Sequence, residues 1–270
     1  MTERDYVLGT HDEEIARLGL QHRVWRPTVL DCWRIAGISR GHKVIDVGAG
    51  PGFATLDLAE LVGPTGEVLA AERSGRFLET ATKACADRGF ENVRFRSMDL
   101  MNESLDVAGF DAAWCRWVAC FVSSPATLMQ RIADALRPGG IAMFHEYSNY
   151  STFEFTPRRP ELERFAEEVM ASWRAAGGEP DIGLDLPVLL PAAGFRVRQV
   201  RHHIFAVTAR DEFWQWPASF VGINADRLRE LGRVSGEWAD EVRAAFRHAE
   251  ADERTVFTTP LVLEVIAERL

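Results

Sequence analysis

Lys43-Val44-Ile45-Asp46-Val47-Gly48-Ala49-Gly50-Pro51-Gly52-Phe53 is the stretch on which the reading of the fold turns. A short β-rich run leads straight into three glycines set two apart. Glycine lets the backbone turn sharply and lets a ligand approach with no Cβ in the way. A helical pattern follows over Phe53 to Leu61. Strand, glycine turn and helix in that order belong to a parallel α/β sheet, whose ligands sit at the carboxyl ends of the strands. A pyrophosphate cradle of the form G-x-G-x-x-G, counted from Gly48, needs glycine at 53, and the chain has Phe53. The turn is therefore expected to hold something other than a dinucleotide.

The alternation continues outward. Strands are predicted over Glu67 to Glu72, Asn92 to Ser97, Phe110 to Cys115 and Ile141 to His145, with helices over Arg76 to Arg88 and Pro125 to Leu136. Upstream, Asp12 to Leu20 reads as a short helix with Asp12 as N-cap. Val24 to Ala36 reads as a second helix, with Pro27 early in it and Gly37 as its stop. Downstream the rhythm changes. Tyr147 to Pro160 has no clear period, Glu161 to Ala176 is helical, and Pro180 to Leu190 reads as a loop. Phe195 to Val207 reads as one long strand, 209–253 as largely helical, and Thr259 to Ala267 as a final strand.

The 270 residues are 47% hydrophobic and 26% charged, enough for a large core and too apolar for a disordered chain. A net charge of −9 disfavours nucleic acid and anionic lipid as partners. No apolar run approaches the ~20 residues that span a bilayer, and the first dozen residues carry no apolar signal core. Cys32, Cys85, Cys115 and Cys120 form no CxxC pair, so buried free thiols and a reducing cytoplasm are expected.

The pattern D-x-G-x-G-x-G, here Asp46, Gly48, Gly50 and Gly52, resembles motif I of the class I S-adenosylmethionine-dependent methyltransferases. The chain most resembles the small-molecule branch typified by ubiquinone-biosynthesis methyltransferases. The resemblance implies an α/β fold with a seven-stranded, mostly parallel, doubly wound sheet, an N-terminal helical segment and a helical cap. It implies S-adenosylmethionine as cofactor and S-adenosylhomocysteine as product. It carries cofactor contacts onto Asp46, Gly48, Ala49, Gly50 and Gly52. Glu72, 26 residues after Asp46, is placed at the ribose with Arg73 beside it, and Met98, Asp99 and Leu100 at the adenine. Arg116 and Trp117 flank the cofactor, and Tyr6 and Gln21 would reach its methionine end. One departure stands out. Branch members carry R-x-V-L-x-H after the fourth strand, and Phe121 stands where that histidine would fall.

The implied organisation is residues 1–37 as a helical segment over the cofactor, 38–146 as the core, 147–190 as a cap or lid, 191–208 and 258–270 as remaining core strands, and 209–257 as a helical cap insertion. His145 is the candidate general base, because histidine titrates near neutrality. Glu146, Tyr147, Phe213, Trp214, Trp216 and Phe220 are candidate substrate contacts. His202 and His203 alternate across a strand, which suits no single metal, and no metal is expected. The expected partner is a small-molecule methyl acceptor, with no nucleic acid or membrane partner, in a monomer or homodimer. The alternative is a protein that binds the cofactor without transferring its methyl group.

Overall fold

The computed structural model describes residues 9–270. At its centre are β1 (Lys43–Val47), β2 (Glu67–Glu72), β3 (Val93–Ser97), β4 (Phe110–Arg116), β5 (Leu136–Asn149), β7 (Phe195–His203) and β10 (Leu261–Arg269). They form one sheet in the order β3-β2-β1-β4-β5-β10-β7. β10 runs antiparallel to both neighbours, and the pairs from β3 to β5 are parallel. The chain reverses direction across the sheet between β1 and β4, so the carboxyl ends of these strands open a crevice at the switch point. The glycine turn after β1 lies there.

Successive residues of a strand face opposite sides, so the sheet builds two cores. Val44, Val68, Ala112, Trp114 and Met143 pack under α1 (Asp12–Ala36) and α2 (Phe53–Val62). Ile45, Leu69, Ala113, Cys115 and Phe144 face the other way, toward α4 (Pro125–Ala135) and the capping elements. α3 (Gly75–Asp87) covers β2 and β3.

The structure corrects the N-terminal reading. α1 is one helix of 25 residues, not two. Pro27 removes one intrahelical bond but lies on the exposed face, where the freed carbonyl meets water and the helix need not break. The N-cap is His11, whose Nδ1 accepts from the Glu14 N–H, and Asp12 is the first helical residue. β5 also begins at Leu136, five residues before the predicted strand start at Ile141, with a register shift against β4.

The distal part is more regular than its sequence. The unpatterned 147–160 stretch contains the end of β5 and β6 (Glu154–Thr156), with Tyr150, Phe153 and Phe155 buried. The predicted 180–190 loop holds most of α6 (Leu186–Ala192). The predicted long strand ends at His203, because the chain departs to form β8 (Ala206–Val207) against β9 (Val256–Thr258). β6, β9 and β8 make a second, three-stranded sheet. α5 (Pro160–Ala175), α7 (Gln215–Glu230) and α8 (Gly236–Ala251) pack together as the helical cap, and α7 also lies against α1. No helix among the described residues is long and apolar enough to cross a membrane. All four cysteines are buried free thiols.

Candidate functional site

A cleft of about 1110 Å³ opens at the carboxyl ends of β1, β2 and β4. Its floor is the glycine turn. Gly48, Gly50 and Gly52 all have positive φ, at 65°, 55° and 86°. A Cβ on Gly48 would collide with Val118, and one on Gly52 would come within 2.6 Å of the Ala81 Cβ. Above Gly50 nothing among the described residues lies within 4 Å. The turn is thus tight on its protein side and open where a ligand would approach.

Three carboxylates line this half of the cleft. Asp46 is buried, and its Oδ2 accepts from the Thr55 hydroxyl at 2.6 Å. Burial pushes its pKa up to about 6, against the pull of Thr55 and Arg116. Glu72 closes β2. Its Oε2 accepts from the Gly50 N–H, and its Oε1 from the Arg73 and Ser74 N–H groups, each at 2.9 Å. Burial raises its pKa, and these three donors oppose the rise. Asp99 turns the chain after β3, its carboxylate accepting from Met101 N and Asn102 Nδ2. Met98 and Leu100 are buried beside it, and Ala49 and Arg73 complete the wall.

Arg116 enters from the end of β4. Its Nη2 donates to His22 Nδ1 at 3.0 Å, and its guanidinium lies 5.0 Å from the Trp117 ring centre. Among the described residues its buried Nη1 has no hydrogen-bond partner. Burial lowers its pKa to about 10, and Asp46 works against that fall, so the group stays cationic. A buried acid beside an orphaned guanidinium suits a ligand that carries an ammonium and a carboxylate together. With Glu72 for a ribose and the open turn, these residues fit S-adenosylmethionine. Gln21 also lines the cleft. Its Oε1 accepts from Arg17 Nη1 and Trp216 Nε1, both of which can only donate, so its amide nitrogen is left for the cleft. Tyr6 lies outside the described residues.

The other half of the cleft is apolar. Leu18, Trp117, Val118, Phe121, Val122 and Trp173 line it. Phe121 meets Trp173 edge-on with ring centres 4.6 Å apart. Trp117 has φ 52°, rare for a large side chain, and stacks on Tyr147 at 5.4 Å. Glu146 holds this loop. Its fully buried carboxylate accepts from the N–H groups of Val118 and Ala119, both 2.8 Å, and Cys120 at 3.3 Å. Burial pushes its pKa up to about 7 despite those bonds.

Several expectations are corrected here. Glu146 and Tyr147 stand behind the wall rather than in it. His145 is fully buried and does not line the cleft. Its Nε2 meets Glu264 Oε2 at 3.0 Å, and burial lowers its pKa to about 4, more than Glu264 raises it. A neutral imidazole facing a buried carboxylate is not placed to take a proton from a cleft-bound molecule. Phe213, Trp214, Trp216 and Phe220 do not line the cleft either. Trp214 is buried against Phe246, Trp216 against Phe257 and Phe220 against Phe153, and Phe213 packs on Trp25. They form the core between cap and sheet. Truncating Trp216 to Ala should accordingly lower stability by about 3–5 kcal/mol in denaturant titration.

Cys32, His145 and Glu264 bring potential ligand atoms within 4.8 Å of one another. Both Glu264 oxygens, however, accept from Arg201, and Oε2 also meets His145 and His203. A cation there would have to displace a guanidinium. The residues that sequence reasoning missed are Phe121, Trp173, Gly178 and His22. Gly178 lines the cleft, and the Cys120 carbonyl behind it leaves no room for a Cβ. Trp173 reads in sequence as one more buried ring on a helix, and the Gly177-Gly178 pair that begins four residues later is the signal of a close approach there.

Comparison with known proteins agrees with this geometry. The model of the family described as "Methyltransferase domain" matches residues 38–185. A ubiquinone/menaquinone biosynthesis C-methyltransferase of Idiomarina loihiensis is 30% identical over 128 residues, 47% of this chain and 50% of that protein. A demethylmenaquinone methyltransferase of Staphylococcus aureus is 31% identical over 128 residues, 47% of this chain and 51% of its own. The chain thus spans about half the length of the curated relatives it matches. Geranyl diphosphate C-methyltransferase of Streptomyces coelicolor A3(2) shares the fold, with a TM-score of 0.59 at 13% identity over 92% of this chain and 77% of that one. With the sheet order and the glycine turn, the match over more than half its length shows that this chain belongs to the methyltransferase-domain family, as a class I S-adenosylmethionine-dependent member related to the ubiquinone and menaquinone methyltransferases.

Proposed function

We propose that the chain transfers a methyl group from S-adenosylmethionine to an oxygen, nitrogen or carbon nucleophile of a small, largely apolar or aromatic molecule. The observation that carries this reading is the division of one cleft into two chemistries. Asp46, Glu72, Asp99 and Arg116 stand at the glycine turn, and Trp117, Phe121 and Trp173 face the remaining space. When bound, the cofactor supplies an electrophilic methyl group on a sulfonium centre. The chain's own part is to align the acceptor and exclude water. An apolar wall favours a reaction in which the sulfonium charge disappears. The ubiquinone/menaquinone biosynthesis C-methyltransferases among the relatives favour a carbon acceptor. Residues 147–190 supply Trp173, Ala176 and Gly178 to the wall and suit a lid over the acceptor, whereas 209–257 buttresses α1 through the Trp216–Gln21 bond.

The test is incubation with methyl-labelled S-adenosylmethionine and a panel of phenols, quinols and apolar amines. Label on an acceptor, with S-adenosylhomocysteine released, supports the reading. Conversion of an acceptor with the label retained on S-adenosylmethionine overturns it. Once an acceptor is known, Phe121→Ala should raise its KM about tenfold, an aromatic contact of ~1.4 kcal/mol. S-adenosylhomocysteine affinity should stay within about twofold by calorimetry. A loss of cofactor affinity instead would move Phe121 to the other half of the cleft.

A further inference from the structure

A buried relay runs from the surface of α1 into the cleft. Arg26 donates from Nε to Asp57 Oδ2 at 2.7 Å. The same oxygen meets His22 Nε2 at 3.0 Å, and His22 Nδ1 meets Arg116 Nη2 at 3.0 Å. The chemistry of the end groups settles the middle one. A guanidinium can only donate, so His22 Nδ1 must accept, and the proton sits on Nε2, where it is given to Asp57. The His22 ring is fixed on its face as well, stacked 6.2 Å from Phe53. His22 and Asp57 are both buried, and Arg116 is the member that reaches the cleft.

We propose that His22 is a positioning residue, which in its neutral Nε2–H form holds the Arg116 guanidinium toward the cofactor's carboxylate and releases it when protonated. The proposal rests on the reading that Arg116 faces that carboxylate. Protonation turns Nδ1 from acceptor to donor and sets an imidazolium 3.0 Å from a guanidinium. The hydrogen bond is then lost, and like charges oppose each other. The charged groups around His22 are Asp57 on α2, Arg116 on β4 and Arg26 on its own helix, and Arg116 in turn faces Asp46 on β1. Burial lowers the His22 pKa below its usual value, and Asp57 opposes the shift. The neutral form is therefore the resting one at neutral pH, and cofactor affinity should fall once acid protonates the ring.

The direct test is the nitrogen spectrum of the His22 ring in the intact protein at pH 8. The expected result is the Nε2–H tautomer with bare Nδ1, and a ring protonated at Nδ1 would overturn the proposal. Calorimetry with S-adenosylhomocysteine supplies the functional half. Arg116→Gln should weaken binding at least tenfold at pH 8, and unchanged affinity there would sink the underlying reading of Arg116. If Arg116→Gln does weaken binding, His22→Phe should lose about as much. His22→Asn, whose carbonyl can still accept from Arg116, should stay within about threefold of the wild type at pH 8. Burial pushes the Asp46 pKa up to about 6, so Asp46 contributes an acid fall of its own, and His22→Asn should keep a shallower fall rather than none. Wild-type affinity in His22→Phe, or an acid fall in His22→Asn as steep as the wild type's, would refute the proposal.

Discussion

Replacing Glu72 with Ala should weaken S-adenosylhomocysteine binding by roughly 2–4 kcal/mol, about 30- to 1,000-fold. The carboxylate is held in advance. Gly50, Arg73 and Ser74 each donate a backbone N–H to it, so neither oxygen needs reorienting when two ribose hydroxyls arrive. Losing it removes two charge-assisted bonds. It also leaves the Gly50 N–H without its acceptor at the turn that forms the cleft floor. Glu72→Gln should recover little. One of its ends is an amide NH2, which would face a backbone donor wherever it was placed. Calorimetric titration measures both variants. An unchanged dissociation constant for Glu72→Ala would mean that the ribose is held elsewhere.

The second large effect concerns Glu146. Its carboxylate satisfies three consecutive backbone N–H groups, from Val118 to Cys120, at a site closed to water. A buried donor left unpaired costs about 1–3 kcal/mol. Glu146→Ala should therefore destabilise the fold by about 3 kcal/mol or more, seen as a melting temperature lower by roughly 6–12 °C for a chain of this size. The variant also frees the loop that carries Trp117 and Phe121, so methyl transfer should fall further than cofactor binding does. Glu146→Gln keeps one acceptor oxygen and should fall between the two. Differential scanning calorimetry decides the matter, and a melting temperature within 2 °C of the wild type would show that the loop is held by other contacts.

The two halves of the cleft differ in how far they could be read from sequence. Asp46, Glu72 and Asp99 stand at strand ends, and each belongs to a local pattern whose spacing survives in one dimension. The apolar half depends on contacts between distant segments. Gly178 matters because a carbonyl from Cys120 presses on it. Phe121 acquires its role from Trp173, more than fifty residues away. His145 reads in sequence as a base because histidine titrates near neutrality. Its partner, Glu264, lies 119 residues on and faces it from the antiparallel strand. Phe213, Trp214, Trp216 and Phe220 read in sequence as substrate contacts, since rings at i and i+1 do not share one helix face. In the folded chain α1, α5, α8 and β9 surround α7 and the turn before it, so rings on several sides are buried. The small second sheet was hidden for a different reason. Its strands are two or three residues long, too short for any period to register.

The central claim is that one cleft holds the cofactor at the glycine turn and the acceptor against the aromatic wall. A crystal structure of the chain with S-adenosylhomocysteine tests it most directly. The ribose hydroxyls should lie on Glu72, the adenine beside Met98, Asp99 and Leu100, and the carboxylate on Arg116, with the sulfur turned toward Trp117, Phe121 and Trp173. A complex in which the sulfur faces away from that wall, or in which Glu72 and Arg116 touch no part of the ligand, would contradict the account.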